Sequence, residues 1–220
     1  MMNGPENPDF RAHPVCLITG TPPPPYSLEK AVSLLLEAGI RWVQYREKHK
    51  TKREMFCEAL KLKELARKYH ACLIINDHAD IALAVDADGV HLGQDDLPLA
   101  EARRIMGKRI IGISTHSADE AIQAEQGGAD YIGFGPVFHT ETKDAGAPKG
   151  VEALRRIRNS VKIPVVAIGG IKAGNARSVF ETGCRIAVSS GLLAGDIGEN
   201  AKEFLSAFAS RGMHGGKTAS

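Results

Sequence analysis

Asp77 and Asp96, Arg46 and Lys48, Thr140 and Thr142 with Lys143, and the pairs Gly169-Gly170 and Ser189-Ser190 are the residues whose types and spacing suit joint chemistry. Each group stands just past a short apolar run. Two carboxylates on neighbouring exits offer hard oxygen donors, which suit Mg2+, an ion that keeps waters and takes further oxygens from phosphates. Flexible cations and hydroxyls suit the phosphate oxygens themselves. Together they describe a site for a diphosphate and a divalent metal.

Each residue also has an ordinary reading. Asp77 precedes the Ala79 segment and Asp96 precedes Leu97-Pro98, so either could cap a helix. Asp95 adjoins Asp96, but adjacent residues point in different directions. Gln44, Arg46 and Lys48 alternate and so share one face of an extended segment. Facing into a barrel, those charges need a match, either an anionic ligand or an internal acid. Thr140-Glu141-Thr142-Lys143 is ordinary loop sequence when taken alone. Gly169-Gly170 and Ser189-Ser190-Gly191 carry a stronger signal. Parallel barrels commonly bind phosphate on the loops after strands seven and eight, and glycine lets backbone N–H groups approach an anion. Ser114 is placed to bond a ligand ring. His78, His91, His116 and His139 lack zinc-site spacing and read as structural or hydrogen-bonding residues. No nucleophile elbow supports a Ser-His-Asp triad.

The elements that must position these residues are legible as alternating periods. Strands are expected over 15–19, 42–45, 72–75, 89–92, 110–113, 131–133, 165–168 and 186–189. Helices are expected over 27–38, 52–69, 79–85, 98–106, 118–126, 151–159, 173–182 and 199–209, where apolar residues recur at three and four. Ser27, and Ser117 with Glu120 as a capping box, mark helix starts. Gly39, Gly107, Gly127 and Gly183 mark left-handed ends. Eight strand–helix units predict an α/β fold, a single-domain TIM (β/α)8 barrel over 14–211. An open doubly wound sheet is the rival, disfavoured by the absence of a Gly-x-Gly-x-x-Gly turn after strand one. Residues 1–13 read as a polar extension and 212–220 as a disordered tail. The long break over 139–150 is expected to act as a lid.

Bulk properties exclude several classes. With 43% hydrophobic and 25% charged residues and a net charge of +2, no global field favours nucleic acid. No apolar run nears the ~20 residues that span a bilayer, and no signal-peptide core precedes the barrel. A cytoplasmic location, with no membrane or nucleic-acid partner, is the expectation. The four cysteines, Cys16, Cys57, Cys72 and Cys184, are far apart and read as small hydrophobes rather than disulfide or zinc ligands.

The segments Gln44-x-Arg46-x-Lys48, Ile75-Asn76-Asp77, Gly89-Val90-His91-Leu92-Gly93-Gln94-Asp95-Asp96, Ser114-x-His116, Gly133-x-Gly135-Pro136-Val137-Phe138-x-Thr140-x-Thr142-Lys143 and Ala167-Ile168-Gly169-Gly170-Ile171 resemble thiamine-phosphate synthase, from about Val15 to Phe208. The resemblance implies a transferase that joins a pyrimidinylmethyl diphosphate to a thiazole phosphate, with or without a 2-carboxylate. The C–O bond ionises first, and thiamine phosphate and diphosphate leave. It further implies that Gln44, Arg46, Lys48 and Asn76 hold the pyrimidine diphosphate, that Asp77 and Asp96 hold Mg2+, and that Ser114 contacts the pyrimidine. Thr140, Thr142, Gly170, Ser189 and Ser190 would hold the thiazole phosphate, with Lys143 reaching the diphosphate; Arg46, Lys48 and Lys143 are the catalytic cations.

Two departures stand out. Strand one ends Leu17-Ile18-Thr19-Gly20 where the family often has Asp, which is expected to loosen a loop. The exit of strand eight leaves open which of Ser189 and Ser190 meets phosphate. Two alternatives differ in kind: a thiazole tautomerase-like relative, which needs no diphosphate clamp, and a non-catalytic regulator that binds thiazole phosphate. Oligomeric state, homo-oligomer included, is not readable from sequence.

Overall fold

In the computed structural model the described residues are 9–140 and 146–211. Eight parallel strands close into a barrel in sequential order, β8 pairing with β1. They are β1 (Val15–Ile18), β2 (Trp42–Tyr45), β3 (Cys72–Asn76), β4 (Gly89–Leu92), β5 (Ile110–Thr115), β6 (Tyr131–Phe134), β7 (Val165–Ala167) and β8 (Arg185–Val188). The helices are α1 (Leu28–Glu37), α2 (Lys52–Lys68), α3 (Ala79–Ala84), α4 (Leu99–Met106), α5 (Ala118–Gln126), α6 (Gly150–Ser160), α7 (Ala173–Phe180), α8 (Ser190–Leu193) and α9 (Ile197–Ala209). Closure settles the choice against an open sheet. No described helix is long and apolar enough to cross a membrane.

The strands are buried on both faces, as parallel sheets are, and this fixes two cores. Outward-facing residues such as Leu17, Val43, Leu73, Ile75 and Val90 pack under the helices. Inward-facing ones, Cys16, Ile18, Trp42, Cys72, Ile74, Ile110, Tyr131, Val166 and Ala187, fill the barrel with Phe10. Phe10 lies in a 3-10 turn (Phe10–Ala12), so the last residues of the polar extension fold back onto the barrel floor. Its ring meets Trp42 edge-on at 5.1 Å and Tyr131 at 5.4 Å. Cys16, Cys72 and Cys184 are buried thiols and Cys57 is exposed; all four are free.

Local signals were right in kind and sometimes displaced. Ser27 and Ser117 cap α1 and α5 by accepting the Lys30 and Glu120 N–H groups. The Glu120 carboxylate, however, takes the His116 N–H at 2.7 Å and not that of Ser117, so the expected box is offset by one residue. A full capping box stands at Thr51 and Glu54, opening α2. Gly127 has φ −75° and is not left-handed; the turn is completed by Gly128 at φ +86°.

The floor yields a prediction. Phe10→Ala should destabilise the protein by about 3 kcal/mol, the usual loss for a buried aromatic ring. Urea unfolding would show this as a lower midpoint; an unchanged midpoint would mean the ring fills no essential volume.

Candidate active site

The candidate site residues that the structure describes, Lys48 included, lie in the last two positions of a barrel strand or beyond its C-terminal end, and so on one rim. β3 delivers Asn76, which is buried, and then Asp77. Asp77 takes φ +63°, a left-handed conformation that Asp tolerates better than most residues, and its N–H donates to the His91 carbonyl at 2.8 Å. β4 delivers Asp96 through a turn in which its carboxylate accepts the Gly93 N–H at 2.7 Å. Neither aspartate is a helix cap: His78 precedes α3 and Pro98 precedes α4, each without a side-chain cap bond. Asp95 is exposed, Asp96 half-buried.

The two carboxyl groups meet. Burial first, then the charge of Asp96 and a hydrogen bond with it, push the Asp77 carboxyl up to about 6, with Arg46 and His78 drawing it partly back. Asp77, Asp96 and Arg46 therefore share one electrostatic neighbourhood. Among the described residues no cluster of three or more His, Cys, Asp or Glu could hold a metal. Two carboxylates alone fit Mg2+ when waters and substrate phosphates complete its shell.

β2 ends at Tyr45, so the shared strand face reaches only Gln44, which is buried. Arg46 and Lys48 instead sit on the following loop, and neither forms an ion pair within the described residues. The alternative of an internal acid thus finds no support there. Arg46 is fixed through its backbone. Thr19 Oγ1 donates to the Arg46 carbonyl at 3.1 Å and accepts the Arg46 N–H at 2.8 Å. Thr19 is itself buried. Where a loosened loop was expected from the strand-one departure, the Thr19 hydroxyl ties two adjacent strand exits together. Glu47 adds to the order by accepting the Lys48 and His49 N–H groups.

On the opposite side, the loops after β6 and β7 are laminated. Val137 and Phe138 N–H groups bond the Ile168 and Gly169 carbonyls at 2.9 and 3.0 Å. Gly170 has φ +64°, and a Cβ there would stand 2.2 Å from the His139 carbonyl oxygen. Glycine is thus demanded by loop packing at Gly170, whatever it does for an anion. Gly191, in α8, packs on the Ile171 carbonyl, so the exits of β7 and β8 adjoin. Ser189 is half-buried with its hydroxyl beside Gly20, whereas Ser190 is exposed at the start of α8. Thr140 closes the described part of the β6 loop; Thr142 and Lys143 lie outside the described residues.

Below this rim His91 bonds within the fold, as its sequence reading expected, and Tyr131 is the partner that the pattern did not single out. His91 Nε2 lies 2.9 Å from Ser114 Oγ, and Nδ1 lies 2.9 Å from the Tyr131 hydroxyl. Burial pushes the His91 imidazole down to about 4, leaving it neutral. Register places both rings opposite Gly112, where a Cβ would lie 2.1 Å from Tyr131 and 2.5 Å from His91. The available signal was the bare glycine inside a β-branched strand. His116 bonds Glu120 outside this network.

A family model described as thiamine monophosphate synthase matches residues 15–192. The chain belongs to that family. It is 52% identical over 167 residues to a thiamine-phosphate synthase of Chloroflexus aurantiacus, covering 75% of this chain and 77% of the relative. Over 210 residues it is 46% identical to that of Halalkalibacterium halodurans, covering 93% and 98%. The solved structure of thiamine phosphate pyrophosphorylase from Pyrococcus furiosus superposes with a TM-score of 0.82 at 43% identity, covering 89% of this chain and 95% of the other. The Pyrococcus furiosus protein thus shares the barrel fold of this chain.

The carboxylate pair has a stability signature. Asp77 is raised in the folded state, so its ionised form costs stability above pH about 6, and that cost fades as pH falls from about 6 towards 4. In metal-free buffer Asp77→Asn should be more stable than the wild type at pH 7.5 by about 1 kcal/mol, after discounting for solvent screening, and the gain should shrink by pH 5. Thermal melts at the two pH values check this; a variant destabilised at both would deny the repulsion.

Proposed function

We propose that the chain is a Mg2+-dependent transferase. It condenses 4-amino-2-methyl-5-(diphosphooxymethyl)pyrimidine with 4-methyl-5-(2-phosphooxyethyl)thiazole, or the 2-carboxy form of that thiazole. The products are thiamine phosphate and diphosphate, with CO2 from the carboxylated substrate. The observation that carries this reading is the Asp77–Asp96 contact beside Arg46 on the catalytic rim. A carboxylate pair with a cation at its edge has a use in diphosphate departure, and none in the tautomerase-like alternative.

In this reading Asp77 and Asp96 hold Mg2+, which when bound supplies Lewis-acid stabilisation of the leaving diphosphate. Arg46 and Lys48 take the diphosphate oxygens, with Lys143 reaching them from the β6 loop. Because Thr19 and Glu47 fix the backbone of the loop after β2, Arg46 and Lys48 are held before charge develops, and they favour the transition state over the ground state. Gln44, Asn76 and Ser114 orient the pyrimidine. Thr140, Thr142, Gly170, Ser189 and Ser190 hold the thiazole phosphate. The diphosphate departs with the C–O bonding pair, and the thiazole nitrogen supplies its lone pair to the carbon. That nitrogen carries no proton, so no side-chain base is required.

Incubating the protein with both substrates and Mg2+ should release diphosphate and yield a mass equal to thiamine phosphate. Asp77→Ala should cut turnover by roughly 100-fold or more at any Mg2+ concentration. Full activity of that variant at low metal would remove the metal assignment. Lys143→Ala should lower kcat more than it raises the KM for the pyrimidine substrate; a change confined to KM would make Lys143 a ground-state binder.

A further inference from the structure

We propose that Tyr131 and His91 are positioning residues that set the direction of the Ser114 hydroxyl: the phenol donates to His91 Nδ1, Nε2–H donates to Ser114 Oγ, and the serine proton is left to point at a ring nitrogen of the substrate. The inference rests on the reading of Ser114 as a pyrimidine contact and says how that contact is given its polarity.

The chain of bonds is geometric. Tyr131 hydroxyl, Nδ1, Nε2 and Ser114 Oγ follow one another at 2.9 Å and 2.9 Å across β6, β4 and β5. Tyr131 and His91 are sealed in the barrel at 1% and 8% exposure, whereas Ser114 is half-buried at the rim. The network therefore has one wet end. Its dry end fixes the order of protons. The phenol has His91 Nδ1 as its hydrogen-bond partner at 2.9 Å. A proton on Nδ1 would take this acceptor from the buried phenolic proton, and buried donors are rarely left without one. Nδ1 therefore accepts, and the neutral imidazole must carry its proton on Nε2. With Nε2–H directed at Oγ, the serine oxygen is supplied with a donor, and its own proton is free for an acceptor in the mouth.

The fold makes room for this arrangement. Gly112 and Gly133 flank the imidazole, and a Cβ at either would crowd it, at 2.5 Å from Nδ1 and 3.2 Å from Cε1 respectively. A pyrimidine ring nitrogen is a pure acceptor. A serine locked as donor favours it over a ring that presents N–H at the same place, because the wrong partner leaves two donors facing each other.

The test uses the full chain labelled with 15N-histidine. Long-range 1H–15N correlation at neutral pH, with His91 assigned by the signals lost in His91→Gln, should show Nε2 protonated and Nδ1 bare. A protonated Nδ1 overturns the proposal. Tyr131→Phe should raise KM for the pyrimidine diphosphate about tenfold, the worth of one oriented hydrogen bond, and leave KM for the thiazole phosphate within about twofold. His91→Gln, whose amide can still donate to Ser114, should retain more activity than His91→Leu. Equal changes in both KM values would show a merely structural role. Should His91→Leu fail to fold by circular dichroism, Tyr131→Phe and the tautomer still decide. Wild-type protein without turnover would refute the functional reading, while the tautomer answers separately for the relay.

Discussion

Two carboxylates held in contact at the edge of a buried barrel are unfavourable unless a cation joins them. Asp77 and Asp96 are in this position, and the surroundings maintain it by fixing the Asp77 backbone and the Asp96 carboxylate rather than by relieving the charge. Asp77 is kept in a left-handed conformation by the His91 carbonyl, and Asp96 is pinned through the Gly93 N–H. Such local strain persists only where neighbouring structure over-determines it, and it gathers at functional sites. Arg46 moderates the repulsion without forming an ion pair. The pair is thereby kept available to a metal and a phosphate.

Support for the rim comes from below and from the side. From below, the barrel interior changes character along its axis: Phe10, Trp42 and Tyr131 seal the floor with aromatic edges, and His91 and Ser114 carry polarity up to the mouth. From the side, neighbouring exits tie one another down. Thr19 bridges the β1 and β2 exits, and the β6 loop lies along the β7 loop through backbone bonds that Gly135, Gly169 and Gly170 leave space for. Catalytic groups on rigid, mutually bonded exits lose little freedom when substrate arrives, which keeps binding energy for the transition state.

Much of this was readable in advance, for identifiable reasons. Short continuous apolar runs, with period three-to-four between them, located the barrel strands, since burial on both faces of a strand and on one stripe of a helix leaves those marks. The small α8 escaped notice because four residues cannot display a helical period, and Phe10–Ala12 because a single buried ring in a polar stretch has none. Glu120 looked like half of a box with Ser117 but bonds the preceding residue, a choice made by the approach angle of the chain and not by spacing. Arg46 and Lys48 were placed on an inward strand face. The strand stops at Tyr45, and the arginine is held instead by a hydroxyl 27 residues earlier.

What the sequence determined by itself was the inventory and its order: which exits carry acid, cation, hydroxyl or bare glycine, because those identities follow from local pattern and chain position. Tertiary structure decided the pairings. Barrel closure set Asp77 against Asp96, Thr19 against Arg46, Gly170 against His139, and Tyr131 through His91 to Ser114. Each joins residues from different strands, and their meeting depends on strand register and on ring volumes displaced by Gly112, neither of which a one-dimensional period encodes.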